Sequence, residues 1–230
     1  MKIDNALLEL RKGNIVLVYD EDGREEETDI VVAAEHATPA HIRTMRKDGG
    51  GLICAAVHPT MAEKLGLPFL VDIWSHSTGR YKVFEGLKAN DIPYDEKSAF
   101  SITINHRKTF TGITDWDRSL TLKEFSRVAE NTMNGYDPDD FGRNFRSPGH
   151  VTLLKATKGL LRKRKGHTEL SVALMEMAEL TPIAAICEML GDDGGSLSRG
   201  EAEEYADNNG LVFLEGREIV EAYLNGWKRL

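Results

Sequence analysis

Cysteine is scarce in this chain. Cys54 and Cys187 are the only two, too few for a disulfide framework, so a reducing cytoplasm is the expected compartment. Long apolar runs are also missing. None approaches the roughly 20 residues that a membrane-spanning helix needs, and Met1-Lys2-Ile3-Asp4-Asn5 lacks the apolar core of a secretory leader. There is no basic excess either: Lys plus Arg number 29 against 37 for Asp plus Glu, a formal net charge of −8. That balance argues against a general nucleic-acid binder. No internal repeat, low-complexity tract or Pro/Gly/Ser-rich linker divides the chain, so residues 1–230 read as a single domain. What is present is 41% hydrophobic residues, gathered into strand-like and helix-like blocks. This excludes a disordered chain and favours an enzyme acting on small molecules, with neither nucleic acid nor membrane as partner.

The blocks predict a mixed order of elements. Residues 4–12 form a short helix stopped by Gly13. Residues 15–19 and 30–34 are strands joined by an unusually acidic connection. Thr38-Pro39 caps and opens a helix to about Arg46, residues 52–57 are a strand, and Pro59 starts a short helix. Residues 72–97 show no clear periodicity and read as a long irregular stretch. Residues 101–105 alternate as a strand with one wet face. Thr121 and Glu124 form a capping box that opens a helix to about Met133. Strands follow at 150–156, 183–189 and 211–214, with helices at 168–180, 198–208 and 217–228. Without strict βαβ alternation, an α+β fold built on a mixed β-sheet with surrounding helices is favoured over a doubly wound or barrel fold.

Five constellations carry chemistry. Arg24-Glu25-Glu26-Glu27-Thr28-Asp29 enters a strand with four carboxylates. On an extended chain Glu25, Glu27 and Asp29 share a face. Convergent carboxylates repel one another unless a hard cation such as Mg²⁺ neutralises them; the plainer alternative is a solvated acidic turn. Pro148-Gly149-His150 reads as a tight turn presenting an imidazole, the side chain best suited to proton transfer near neutral pH. Arg164 to Glu169 precedes a helix with Thr168 at its N-cap, where free N–H groups can hold a phosphate and Arg164 can add a bidentate contact. The segment from Thr109 to Arg118 is rich in hydroxyls. Cys187-Glu188 ends a buried strand, where desolvation would raise the carboxyl pKa. Each segment also has an ordinary structural reading, as a turn, a capped helix or a salt-bridged carboxylate.

In this order, the motifs resemble the 3,4-dihydroxy-2-butanone-4-phosphate synthases of riboflavin biosynthesis. The family's Arg-Glu-x-Glu-x-Asp stands here as Arg24, Glu25, Glu27 and Asp29. Its Pro-Gly-His is 148–150, its Arg-x-Gly-His-Thr-Glu is 164–169, and its Cys-Glu is 187–188 with an Asp-Asp-Gly turn at 192–194. Its Thr-Gly-Ile-x-x-x-Asp-Arg element is 111–118. Glu26 and Thr28 replace glycines usual in the acidic segment. The stretch around 74–97 is longer than in typical bacterial members and closer to archaeal ones. No GTP cyclohydrolase extension follows, as in monofunctional members.

The resemblance implies a carbon–carbon lyase that converts D-ribulose 5-phosphate to L-3,4-dihydroxy-2-butanone 4-phosphate and formate. It implies Mg²⁺ as a pair of ions, with Mn²⁺ as the alternative, and a homodimer with active sites at its interface. By the same resemblance Glu25 and His167 bind metal. Arg164, Lys165, Gly166 and Thr168 hold phosphate, helped by Thr111. Arg24, Glu27 and Asp29 contact the sugar, and His150 and Glu188 are the acid–base pair. Two rivals remain at this point. One is another metal-dependent sugar-phosphate enzyme, an isomerase or aldolase, which would release no formate. The other is an RNA-binding module using the basic stretch 155–165.

Overall fold

The computed structural model describes residues 2–87, 91–135, 137 and 139–226. Seven strands form one sheet: β1 Val16–Tyr19, β2 Thr28–Ala33, β3 Cys54–Val57, β4 Phe100–His106, β5 Phe145–Lys155, β6 Ile183–Glu188 and β7 Val212–Glu215. Their spatial order is β4-β5-β3-β6-β2-β1-β7, with β3/β5 and β1/β7 parallel and the other pairs antiparallel. Ten α-helices lie among the described residues: α1 Lys2–Arg11, α2 Pro39–Lys47, α3 Pro59–Lys64, α4 Leu70–Ser77, α5 Val83–Gly86, α6 Asp115–Asn131, α7 Asp139–Asn144, α8 His167–Met177, α9 Arg199–Asn209 and α10 Gly216–Leu224. The mixed sheet with surrounding helices agrees with the sequence reading.

The central strands are apolar at nearly every position because both faces are covered. In β1, Leu17 and Tyr19 join one core while Val16 and Val18 join the other. The same alternation splits Ile30 and Val32 from Val31 and Ala33 in β2. One core is completed by α2, α6 and α9 through Ile42, Met45, Phe125 and Ala202; the other by α1, α8 and α10 through Leu7, Leu10, Leu174 and Ile219. Helix α8 is buried along almost its whole length. Its N-terminus is therefore held in place by the core itself.

Several expectations need correction. The stretch 72–97 is not structureless: α4 and α5 lie within or beside it, tied by Trp74 stacked on Phe84 at 5.7 Å. Elements this short leave no readable period. Helix α6 opens at Asp115, capped by the Thr114 side chain, and not at Thr121. Thr121 lies inside it and donates to the Asp117 carbonyl one turn back, at 2.8 Å. The N-cap of α8 is Gly166, so Thr168 is the second helical residue. Pro148-Gly149 is not a turn before a strand. β5 already pairs with β4 at Phe145 and Arg146, and the register then jumps to Val151. Residues 147–150 form a bulge seated on β4, with Gly149 so close to the Ile104 backbone that no Cβ fits. α10 ends at Leu224, and residues 227–228 of the expected last helix lie outside the described residues.

Candidate active site

The site forms where the acidic segment, the end of β6 and the start of α8 meet. Asp29 in β2 pairs directly with Glu188 in β6. Each stands two residues from a member of the α8-side core, Val31 and Ile186, so the period of two aims both toward α8. The preceding connection is organised by Asp20, which is buried. Its Oδ2 accepts from the Glu25 amide at 3.0 Å and its Oδ1 from the Glu27 amide at 3.1 Å. Glu26 takes the left-handed conformation at φ 58, where the resemblance puts a glycine. The Ser196 hydroxyl donates to Glu27 Oε1 at 2.7 Å.

From α8, His167 Nδ1 lies 3.0 Å from Glu25 Oε2, while Nε2 lies 3.1 Å from the Glu27 carbonyl and 3.7 Å from Asp29 Oδ1. Just ahead of the helix, Arg164 pairs with Glu169 at 2.5 Å. Arg24 pairs with Asp20 at 3.1 Å and Glu25 at 2.9 Å. A Cβ at Gly166 would strike both guanidinium groups, so glycine lets the two arginines converge at the helix start. The result is a cleft of about 180 Å³ lined by Glu25, Glu27, Asp29, Arg164, His167, Thr168 and Glu188, with Tyr94 and Asp95 at its rim.

Burial and crowding distort the titration of this group. Asp29 is pushed up to about 8, first by burial and then by the charges of Glu188, Glu25 and Glu27, with His167 opposing. Burial also raises Glu188, as the strand-end position predicts. Burial pulls His167 down, but the charge of Asp29 and the hydrogen bond that the ring donates to Glu25 outweigh it and lift the imidazole to about 9. Burial would raise Glu25 too, yet His167, Arg24 and Arg164 leave it below its ordinary value. The cleft thus joins an ionised carboxylate to protonated partners.

A family profile for 3,4-dihydroxy-2-butanone 4-phosphate synthase matches residues 4–222. The chain belongs to that synthase family. A synthase from Methanothermobacter thermautotrophicus is 54% identical over 223 residues, covering 96% of each chain. One from Archaeoglobus fulgidus is 49% identical over 225 residues, 97% of this chain and 94% of that one. Among solved structures, a 3,4-dihydroxy-2-butanone 4-phosphate synthase in complex with two magnesium ions superposes with a TM-score of 0.78. It is 26% identical, and the match covers 99% of both chains.

Of the residues that the synthase resemblance singles out, Arg24, Glu25, Glu27, Asp29, Arg164, Gly166, His167, Thr168 and Glu188 gather at this cleft and its arginine rim. Lys165 is exposed and lines a neighbouring cleft with Arg24 and Arg162. His150 and Thr111 do not line the acidic cleft. They belong to a second group: the His150 amide donates to Asn105 Oδ1 at 2.8 Å, and the Asn105 side-chain amide donates to the Thr111 carbonyl at 3.4 Å. Cys54 pairs with both Ile186 and Thr152, so Glu188 and His150 stand at the same end of the sheet, on either side of β3. Two contributors, Asp20 and Asp95, had no signal of their own; Asp20 was readable only as part of an acidic turn.

The residues present suit magnesium. Oxygens of Asp20 and Glu25 and a nitrogen of His167 lie within 4.8 Å of one another. Asp29 Oδ1 is buried with no hydrogen-bond partner. An oxygen-rich set with one imidazole, beside an orphaned carboxylate oxygen, fits a hard divalent cation.

Proposed function

We propose that this chain converts D-ribulose 5-phosphate to L-3,4-dihydroxy-2-butanone 4-phosphate and formate. The observation that carries the reading is the joining of three parts in one cleft: a Glu25–His167–Asp20 ligand set, the raised Asp29–Glu188 pair, and two arginines at a helix start. Family membership supports it. In this reading Glu25 and His167 hold Mg²⁺, as a pair of ions or with Mn²⁺ in its place. When bound there, the metal would supply Lewis-acid polarisation of the sugar's carbonyl and hydroxyl oxygens.

The chain's own residues do the rest. Arg164, with the amides at Gly166, His167 and Thr168, holds the phosphate at the positive end of α8, and Arg24 adds its charge. Asp29, raised to about 8, holds a proton at neutral pH and can donate to the hydroxyl leaving carbon 1, with Glu188, also raised by burial, as its partner in proton transfer. Glu27, fixed by Ser196, contacts sugar hydroxyls. His150 moves protons during enolisation. Loss of water, a shift of the phosphate-bearing carbon, rehydration and carbon–carbon cleavage then release carbon 4 as formate, so that atoms balance.

Since His150 and Thr111 lie outside the cleft of their own chain, a second copy supplies them in a homodimer. Phe110 is 93% exposed and Trp116 76% exposed, flanking Thr111 with Ile113. A patch with two aromatic rings this exposed suits association. The two buried free thiols suit the reducing cytoplasm.

The test is incubation with ribulose 5-phosphate, with and without Mg²⁺, followed by formate assay. Metal-dependent formate is expected. Isomerised substrate without formate would instead place the chain among sugar-phosphate isomerases.

A further inference from the structure

Arg24 and Arg164 share one partner. Asp95 Oδ2 lies 3.1 Å from Arg24 Nη2 and 2.5 Å from Arg164 Nε. Its other oxygen accepts from the Glu96 amide at 3.1 Å. The remaining partners of the arginines belong to the rigid frame: Asp20 and Glu25 for Arg24, and fully buried Glu169 for Arg164. Asp95 differs from them. It sits among residues 91–99, which lie outside any helix or strand, next to Tyr94, whose ring lies 5.4 Å from the Arg24 guanidinium. Cavities of about 610 and 510 Å³ adjoin the segment, both lined by Asp95 and Arg164.

We infer that Asp95 is an internal occupant of the phosphate subsite: its carboxylate stands between Arg24 and Arg164 in the free enzyme and withdraws when a phosphate arrives. A carboxylate bridging two guanidinium groups makes the contacts that a phosphate oxygen would make. The two anions cannot share them, because both need the same guanidinium N–H groups and the Glu25 carboxylate already stands beside Arg24. The space in these cavities gives the segment room to move. A tethered carboxylate competes at a high effective concentration. A neutral sugar or a single carboxylate then gains too little to displace it, whereas a dianion with three oxygens gains enough. Asp95 thereby sets the subsite's preference for phosphate esters, and it does so by occupying the site rather than by touching the reacting carbons.

This rests on the reading that the arginines hold substrate phosphate, so the test uses inorganic phosphate and needs no turnover. Binding is measured by calorimetry without divalent metal for the wild-type chain, Asp95→Asn and Asp95→Ala, with thermal melts confirming that each is folded. If the open form makes up about a tenth of the wild-type population, both substitutions tighten phosphate binding about tenfold. Arg164→Met added to Asp95→Asn removes that gain. Unchanged or weaker phosphate binding in both variants overturns the inference, because Asp95 would then be a clamp that readies the arginines. Absence of phosphate binding in all of them, or a gain that survives Arg164→Met, overturns it as well. Tightened binding in a protein that releases no formate would leave the inference intact and remove the proposed reaction. Formate release with no phosphate effect would do the reverse.

Discussion

Asp29 and Glu188 meet across two neighbouring strands, and burial raises both carboxyls. The sign of the resulting pH dependence follows directly. Without metal, Asp29 is raised from 3.8 to about 8 and His167 from 6.5 to about 9. The folded state then binds more protons than the unfolded state up to about pH 9, and stability falls as those protons leave. The melting temperature of metal-free protein is expected to drop between pH 6.5 and pH 9, and Asp29→Asn should flatten part of the drop. Because metal binding must release the His167 proton, Mg²⁺ should raise the melting temperature more at pH 9 than at pH 6.5. Melting curves at the two pH values, with and without Mg²⁺, check both statements; a temperature that rises with pH would contradict them. Much of this residue-level detail was legible beforehand, because Arg24 to Asp29, Arg164 to Thr168 and Glu188 announce their chemistry by type and spacing. Asp20 and Asp95 were not. Their importance comes from which amides and guanidinium groups surround them, and those lie up to 71 residues away.

At the scale of elements, the bulge in β5 is the least tolerant feature. Gly149 lies against the Ile104 backbone, and the next residue is the histidine tied to Asn105. Gly149→Ala must push two backbones apart, at a cost of about 1–3 kcal/mol, and it moves His150 from its partner. A lower denaturant midpoint and loss of formate release are expected. Gly142→Ala is the control: nothing lies within 4 Å of its Cβ position, and it should stay within about 0.5 kcal/mol of wild type. Strands buried on both faces were readable as continuous apolar runs. The bulge was not, since Pro148-Gly149 signals a turn equally well. Thr121-Leu122-Lys123-Glu124 looks like a helix start, yet Thr114 with Asp115 and Asp117 is the one that satisfies the first-turn N–H groups.

For the whole molecule, the separation of His150 from the Glu188 cleft gives a clean test of a shared site. His150→Ala and Glu188→Ala should each be inactive alone. Mixed after reversible dissociation, they should recover about a quarter of wild-type formate release, because half of the dimers are mixed and one of their two sites is whole. No recovery would put both residues in one chain's site. The mixed sheet was legible from the order of blocks, but its strand order was not, because β3 and β5 pair through residues 98 apart in the chain, Cys54 with Thr152, which no local pattern reveals. The pairing of Asp29 with Glu188 also bears on how the chain avoids error. Sliding β2 by one residue against β6 would turn Asp29 into the other core and bring Ile30 to the cleft. The register that places the reactive acids is the same one that seats the apolar side chains. A mispaired sheet would therefore be unstable as well as inactive, so the chain's own folding screens out defective sites before any substrate is met.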